Sequence, residues 1–201
     1  FVRDFSSKWD ILIWGDLTVA ACVQGTREFL WRMQQDSYLA TVNKILIGKV
    51  PKNLATRVIG EKLMRQIEYT PYLEDEAGHI RSAKIIVIPD IGGAGMKNRV
   101  VNVVSSGLCL ACLLPQMEGV EAIADRGAIN AVTMDELVKR ISQSLKLHTY
   151  EQIAALGQHI YQEHYSLDMN YCLWREMIER ALSVREMSIS NNDRPHSEAQ
   201  V

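Results

Sequence analysis

The chain has 201 residues, 47% of them hydrophobic and 23% charged, with a formal net charge of −2. That length suits one domain with a full core, and that balance excludes disordered and fibrous classes and any bulk attraction to nucleic acid. No apolar run approaches the roughly 18 residues of a membrane span, no basic-then-apolar leader opens the chain, and the four scattered cysteines fit a reducing, cytoplasmic compartment better than a disulfide scaffold.

Residues 1–8 read as a lead-in or inter-domain linker, and the start at Phe1 suggests a piece of something longer. Residues 9–187 read as one Rossmann-like domain that includes its C-terminal helices, and residues 188–201, which lack periodicity, as a disordered tail. Asp10 to Trp14 is an apolar run closed by Gly15-Asp16, a buried first strand. A helix from about Gln24 to Gln35 turns Phe29, Leu30 and Met33 toward a core. Asn43 to Ile47 is the second strand, Lys52 to Met64 the next helix and Gln66 to Tyr69 a short third strand. Leu73 to Ser82 reads as a helix whose Glu74, Asp75 and Glu76 suit the positive end of its dipole.

From Lys84 to Pro115 the pattern is most informative. An apolar run, Ile85 to Ile88, leads through Pro89 to glycines at 92, 93 and 95, then an amphipathic segment, then a second apolar run from Cys109 to Leu114. Two buried parallel strands need a crossover of about a dozen residues. Gly95 to Gly107 is therefore expected to be helical, although Val100, Val101, Val103 and Val104 are β-branched and locally prefer strand. A glycine-rich turn that opens a helix offers backbone N–H groups and a positive dipole end to phosphate. Lys97 and Arg99, cations in that first turn, point to an anion. The P-loop pattern needs Ser or Thr after its lysine, and Asn98 stands there. A dinucleotide fingerprint needs a third glycine and belongs after the first strand of its unit, whereas this turn follows the fourth. On a 3.6-residue period Lys97 and Asn102 fall on the cleft side of the helix, and Val100 and Val104 face the sheet.

Cys109 and Cys112 share one strand, where residues three apart point to opposite faces and cannot share a metal or a disulfide. Met117 to Asp125 is expected to be helical and Gly127 to Val132 a sixth strand. Thr133 then caps a helix from Met134 to about Leu145. Tyr150 to Tyr165 and Leu167 to about Glu186 follow, the latter with a stripe of Tyr171, Trp174, Ile178 and Leu182 wide enough to pack on a neighbour. His159 and His164 do not share a helix face, and no zinc spacing or nucleophile elbow occurs, so no metal site is expected. Strands alternating with helices predict an α/β, doubly wound parallel sheet of six strands, helices on both faces, with the ligand at the carboxyl ends of the strands.

The run from Gly93 to Leu108, GAGMKNRVVNVVSSGL, resembles the donor-binding motif of group 1 glycosyltransferases of the GT-B fold. It is most similar to the branch in which this helix begins Gly-x-Gly-Ile-Lys-Asn-Lys, and the Glu118-Gly119 pair is similar too. The likeness extends loosely from about Trp9 to Leu182, the carboxy-terminal half of such an enzyme. It implies the nucleotide-sugar-binding half of a transferase that moves a sugar from a nucleotide diphosphate to an acceptor. It also implies an N-terminal GT-B domain as partner and no separate cofactor, with peripheral membrane association left open. The resemblance puts Gly93, Ala94, Gly95, Met96, Lys97 and Arg99 on the donor diphosphate, and Gly15, Tyr69, Tyr72 and Asn102 on the nucleoside. An exposed or packing role is the leading reading for each tyrosine, and a surface arginine that for Arg27, a loose match for a basic residue near the phosphates. No catalytic residue is assigned. Broad relatives carry glutamate at the positions of Ala94 and Asn102; the alanine is usual in the similar branch, the asparagine is not. A carboxylate accepts two hydrogen bonds from a ribose diol, whereas an amide has one accepting oxygen. The alternative is therefore a catalytically silent binding or interaction module of the same fold.

Overall fold

The computed structural model describes residues 7–71, 76–92 and 98–192. Its strands are β1 (Trp9–Trp14), β2 (Lys44–Gly48), β3 (Glu68–Pro71), β4 (Ala83–Ile88), β5 (Cys109–Leu113) and β6 (Ile129–Ala131). They form one six-stranded sheet in the order β3-β2-β1-β4-β5-β6, with every pairing parallel. The helices are α1 (Ala20–Gln35), α2 (Lys52–Ile59), α3 (Glu61–Met64), α4 (Glu76–Arg81), α5 (Asn98–Ser105), α6 (Glu121–Arg126), α7 (Met134–Leu147), α8 (Tyr150–His164) and α9 (Leu167–Asn192). The architecture is the Rossmann-like α/β fold expected, and the strand order reverses between β1 and β4.

The period-two alternation of the strands divides the interior into two cores. Ile11, Ile13, Leu46, Ile85, Val87, Cys109 and Ala111 pack with Phe29, Leu30 and Met33 of α1, Ile59 of α2 and Leu137 and Ile141 of α7. Leu12, Trp14, Ile86, Ile88, Leu110 and Cys112 pack with Val100, Val103 and Val104 of α5 and Ile123 of α6. Cys109 and Cys112 thus lie on opposite faces. Burial of three valines against the sheet outweighs their local preference for strand, since each buried side chain of this size contributes about 1.5–3 kcal/mol and intrinsic propensities differ by less than about 1 kcal/mol. Helix α8 gives Tyr150 and Ala154 to the first core and Ile160 to the second. Tyr150 lies near Lys84 and Asp10 at the starts of β4 and β1, so α8 crosses the N-terminal edge of the sheet, away from the edge where ligands bind in this fold.

Several elements differ from expectation. The single helix over 52–64 is broken at Gly60, whose φ of 103° suits glycine and ends α2 with a bond from its N–H to Thr56. The helix expected from Met117 is a 3-10 turn, Leu114–Met117, followed by α6 after Gly119 at φ 83°. Strand β3 lies two residues further on than predicted, at Glu68–Pro71. Helix α1 starts earlier, at Ala20, and α9 continues to Asn192, past the predicted end at Glu186. Glu74, Asp75 and the tail from residue 193 lie outside the described residues. The stripe of Tyr171, Trp174, Ile178 and Leu182 on α9 is 54–70% exposed, so nothing among the described residues covers it.

Candidate functional site

The carboxyl ends of β1 and β4 define the crevice at the strand-order reversal. Past β1, the Gly15 amide donates to the Ile47 carbonyl at 3.1 Å, which extends the β1–β2 ladder by one residue. A Cβ at Gly15 would lie 3.2 Å from Thr26 Oγ1, so glycine keeps this loop close to α1. Asp16 accepts from the Thr18 amide at 3.1 Å and hydroxyl at 2.5 Å, and pairs with Lys49 at 3.1 Å. The Thr18 hydroxyl foremost, with Lys49 and the amide, holds the Asp16 carboxyl below its usual range against the opposing effect of burial. Helix α1 follows with Val19 at its N-cap, no side-chain cap and no acidic residue in its first turn.

Past β4, the backbone of α1 rides directly on the strand end: a Cβ at Gly25 would sit 1.8 Å from the Pro89 carbonyl oxygen. Next comes Asp90, buried, whose carboxylate accepts from Arg99 Nη2. Arg99 Nη1 donates to the Trp14 carbonyl at 2.8 Å, and its Nη2 lies 3.8 Å from Cys22 Sγ. Gln116, fully buried after β5, donates from Nε2 to the Gly92 carbonyl at 3.2 Å. Asp90 Oδ1, Gln116 Oε1 and Thr26 Oγ1 are buried with no hydrogen-bond partner among the described residues. Burial, with the charge of Asp90 adding, pushes the Cys22 thiol up and the Cys112 thiol up to about 12. Both are therefore protonated at neutral pH and unsuited to act as nucleophiles.

Of the residues singled out in the sequence, Gly15 and Arg99 come together at this crevice. Gly93, Ala94, Gly95, Met96, Lys97 and Tyr72 lie outside the described residues. Asn102 is exposed on α5 while Val100 and Val104 are buried, as the helical period requires. Tyr69 takes its packing alternative. It lies in β3 opposite Leu46, and its buried hydroxyl donates to the Val50 carbonyl. Arg27 is exposed on the outer face of α1, where it lines a groove of about 790 Å³ with Val23, Trp31, Val58 and Leu63. Asp90 and Gln116 escaped the sequence reading. Asp90 had a signal, a carboxylate just before the glycine cluster and nine residues ahead of an otherwise misplaced arginine; Gln116 had none. Among the described residues no group of three or more His, Cys, Asp or Glu side chains is placed to hold a metal ion, and no helix is long and apolar enough to cross a membrane.

No protein-family profile matches the chain, and no curated protein matches it in sequence. Solved structures do match. A C-terminal domain of a group 1 glycosyltransferase, LpcC from Francisella tularensis, aligns with a TM-score of 0.60 at 16% identity over 80% of this chain and 88% of that one. A glycosyltransferase from Rickettsia africae aligns at 0.64 and 13% identity over 86% of this chain and 48% of that one. HepE from Anabaena, solved in complex with UDP, aligns at 0.67 and 12% identity over 88% of this chain and 50% of that one. The chain thus has the fold of the carboxy-terminal domain of GT-B glycosyltransferases, and it spans about half the length of the Rickettsia and Anabaena structures.

Proposed function

We propose that this chain is the donor-side half of a glycosyltransferase, which binds a nucleotide sugar and presents it to an acceptor held by a domain outside these residues. The observation that carries the reading is positional. The motif Gly93 to Lys97 joins β4 to α5, and β4 flanks the strand-order reversal at which ligands of this fold bind. The presence of UDP in the HepE complex supports a nucleoside diphosphate as the ligand class.

The difficult part of such a transfer is stabilising the diphosphate as it departs. Backbone N–H groups of Gly93 to Lys97, the positive end of α5 and the ammonium of Lys97 supply positive potential where that charge develops. Gly15 lets the β1 loop approach the nucleotide, and the resemblance assigns Tyr72 to the nucleoside and Asn102 to its ribose. A reducing, cytoplasmic setting suits the free thiols of Cys22, Cys109 and Cys112. One observation favours a second reading, a catalytically silent binding module: the exposed α5 position that carries a carboxylate in broad relatives is Asn102 here.

Titration calorimetry separates the two. A panel of uridine, guanosine, adenosine and cytidine diphosphates is titrated against the matching nucleosides. The donor-side reading predicts that one diphosphate binds more tightly than its nucleoside. Lys97→Ala then weakens the diphosphate about tenfold with the nucleoside nearly unchanged, the size of one charge-assisted contact. Asn102→Glu strengthens the nucleoside through the ribose diol. Absence of binding by every variant leaves the silent module as the reading.

A further inference from the structure

Arg99 stands in the first turn of α5, where the helix dipole disfavours a cation unless something compensates it. The compensation lies inside the fold. One guanidinium nitrogen donates to the Trp14 carbonyl at the end of β1 and another to the Asp90 carboxylate just past β4. The Asp90 side chain is 6% exposed and that of Arg99 24%, so the pair is largely withdrawn from water. A planar fork of donors suits a residue that must hold two directions at once, and lysine has no equivalent geometry. Three elements that meet at the strand-order reversal thereby share one side chain. Asp90 precedes and Arg99 follows the segment joining β4 to α5, so their contact pins both ends of that segment.

We infer that Asp90 and Arg99 are positioning residues for the diphosphate site, a buried latch between β1, β4 and α5, and that Arg99 does not itself contact the diphosphate. The inference rests on the donor-binding reading above. With Asp90 and Arg99 already joined, less ordering opposes ligand binding. This assigns the oddly placed arginine a role distinct from that of Lys97, two residues before it.

The two roles for Arg99 predict opposite signs for one substitution. Removing a carboxylate near an anion site strengthens anion binding by simple electrostatics, and more so if the change frees a guanidinium to reach the phosphate. Loosening a latch weakens it. Calorimetry of the 201-residue chain with the best-bound nucleoside diphosphate and its nucleoside decides between them. Asp90→Asn is expected to lose at least fivefold in diphosphate affinity while the nucleoside changes less than twofold. Arg99→Lys, which keeps the charge and loses the fork, is expected to show the same selective loss, and the double variant no more than either alone. A direct ligand predicts instead that Arg99→Lys stays within about threefold, since lysine also binds phosphate. Diphosphate affinity in Asp90→Asn equal to or above that of the unmodified chain overturns the inference and leaves the donor-binding reading standing. If Asp90→Asn does not fold, retention of affinity in Arg99→Lys overturns it. An unmodified chain that binds no diphosphate overturns both.

Discussion

Glycine at position 25 offers a test in which sequence and structure predict opposite signs. It lies inside α1, where alanine is ordinarily favoured over glycine by about 1 kcal/mol. The added methyl, however, would sit 1.8 Å from the Pro89 carbonyl oxygen and 3.2 Å from Ile91 Cγ2. A carbonyl in the chain that leads out of β4 cannot swing aside as a flexible side chain does. Helix and strand end must therefore separate by more than an ångström to reach the shortest contacts that real Cβ atoms show. Overpacking of this kind costs about 1–3 kcal/mol, and more where backbone is struck, so Gly25→Ala is expected to lose about 2 kcal/mol net of the helix gain. Urea unfolding followed by circular dichroism reads this as a midpoint roughly 1 M lower with an unchanged slope. Because the separation opens the crevice between β1 and β4, diphosphate affinity is expected to fall in the protein that remains folded. A midpoint equal to or above that of the unmodified chain refutes the close approach of α1 to β4.

Other expectations follow from single contacts. Thr133→Ala removes the hydroxyl that accepts from the Glu136 amide at 3.3 Å, and urea unfolding should show a loss of about 1 kcal/mol. Gly157→Ala drives a methyl to 2.3 Å from the Gly127 carbonyl oxygen, so in α8 too alanine should destabilise where helix propensity predicts a gain. The Asp16 carboxyl is held low in the folded chain. Its contribution is present above its unfolded pKa of about 3.9 and is lost as pH falls through the lower folded value, so Asp16→Asn should flatten the stability profile below about pH 4 only. Trp174→Ala on α9 should leave the free energy of urea unfolding within about 0.5 kcal/mol of the unmodified chain, because that side chain is 63% exposed.

How much of this was legible in the sequence varied with the range of the interaction involved. The runs Ile11 to Trp14, Ile85 to Ile88 and Cys109 to Leu113 announce buried parallel strands, and the spacing between the last two forces a helix through four valines. The placing of Val100 and Val104 on the sheet side of α5, and of Cys109 and Cys112 on opposite faces, follows from period alone. Backbone events at glycine were less legible: nothing local in the helical pattern of residues 52–64 shows that Gly60 takes a positive φ and breaks it. Tyr69 falls in a strand both as read from the sequence and in the structure, but the two-residue shift of β3 and the bond from its hydroxyl to the Val50 carbonyl depend on tertiary packing that no local pattern encodes. The contact between Asp90 and Arg99 joins a strand end to the helix that follows it, and no periodicity encodes that. The stripe of α9 was visible as a pattern, whereas its exposure among the described residues was not.

Binding of a nucleoside diphosphate where β1 and β4 end can be read residue by residue through amide chemical-shift mapping of the isotopically labelled chain. Adding the best-bound nucleoside diphosphate is expected to shift Gly15, Asp16 and the amides from Gly93 to Arg99 most, and the matching nucleoside is expected to shift those from Gly93 to Arg99 markedly less. Shifts centred instead on Val23, Arg27 and Trp31 in the groove outside α1, or no shift at millimolar ligand, would contradict it.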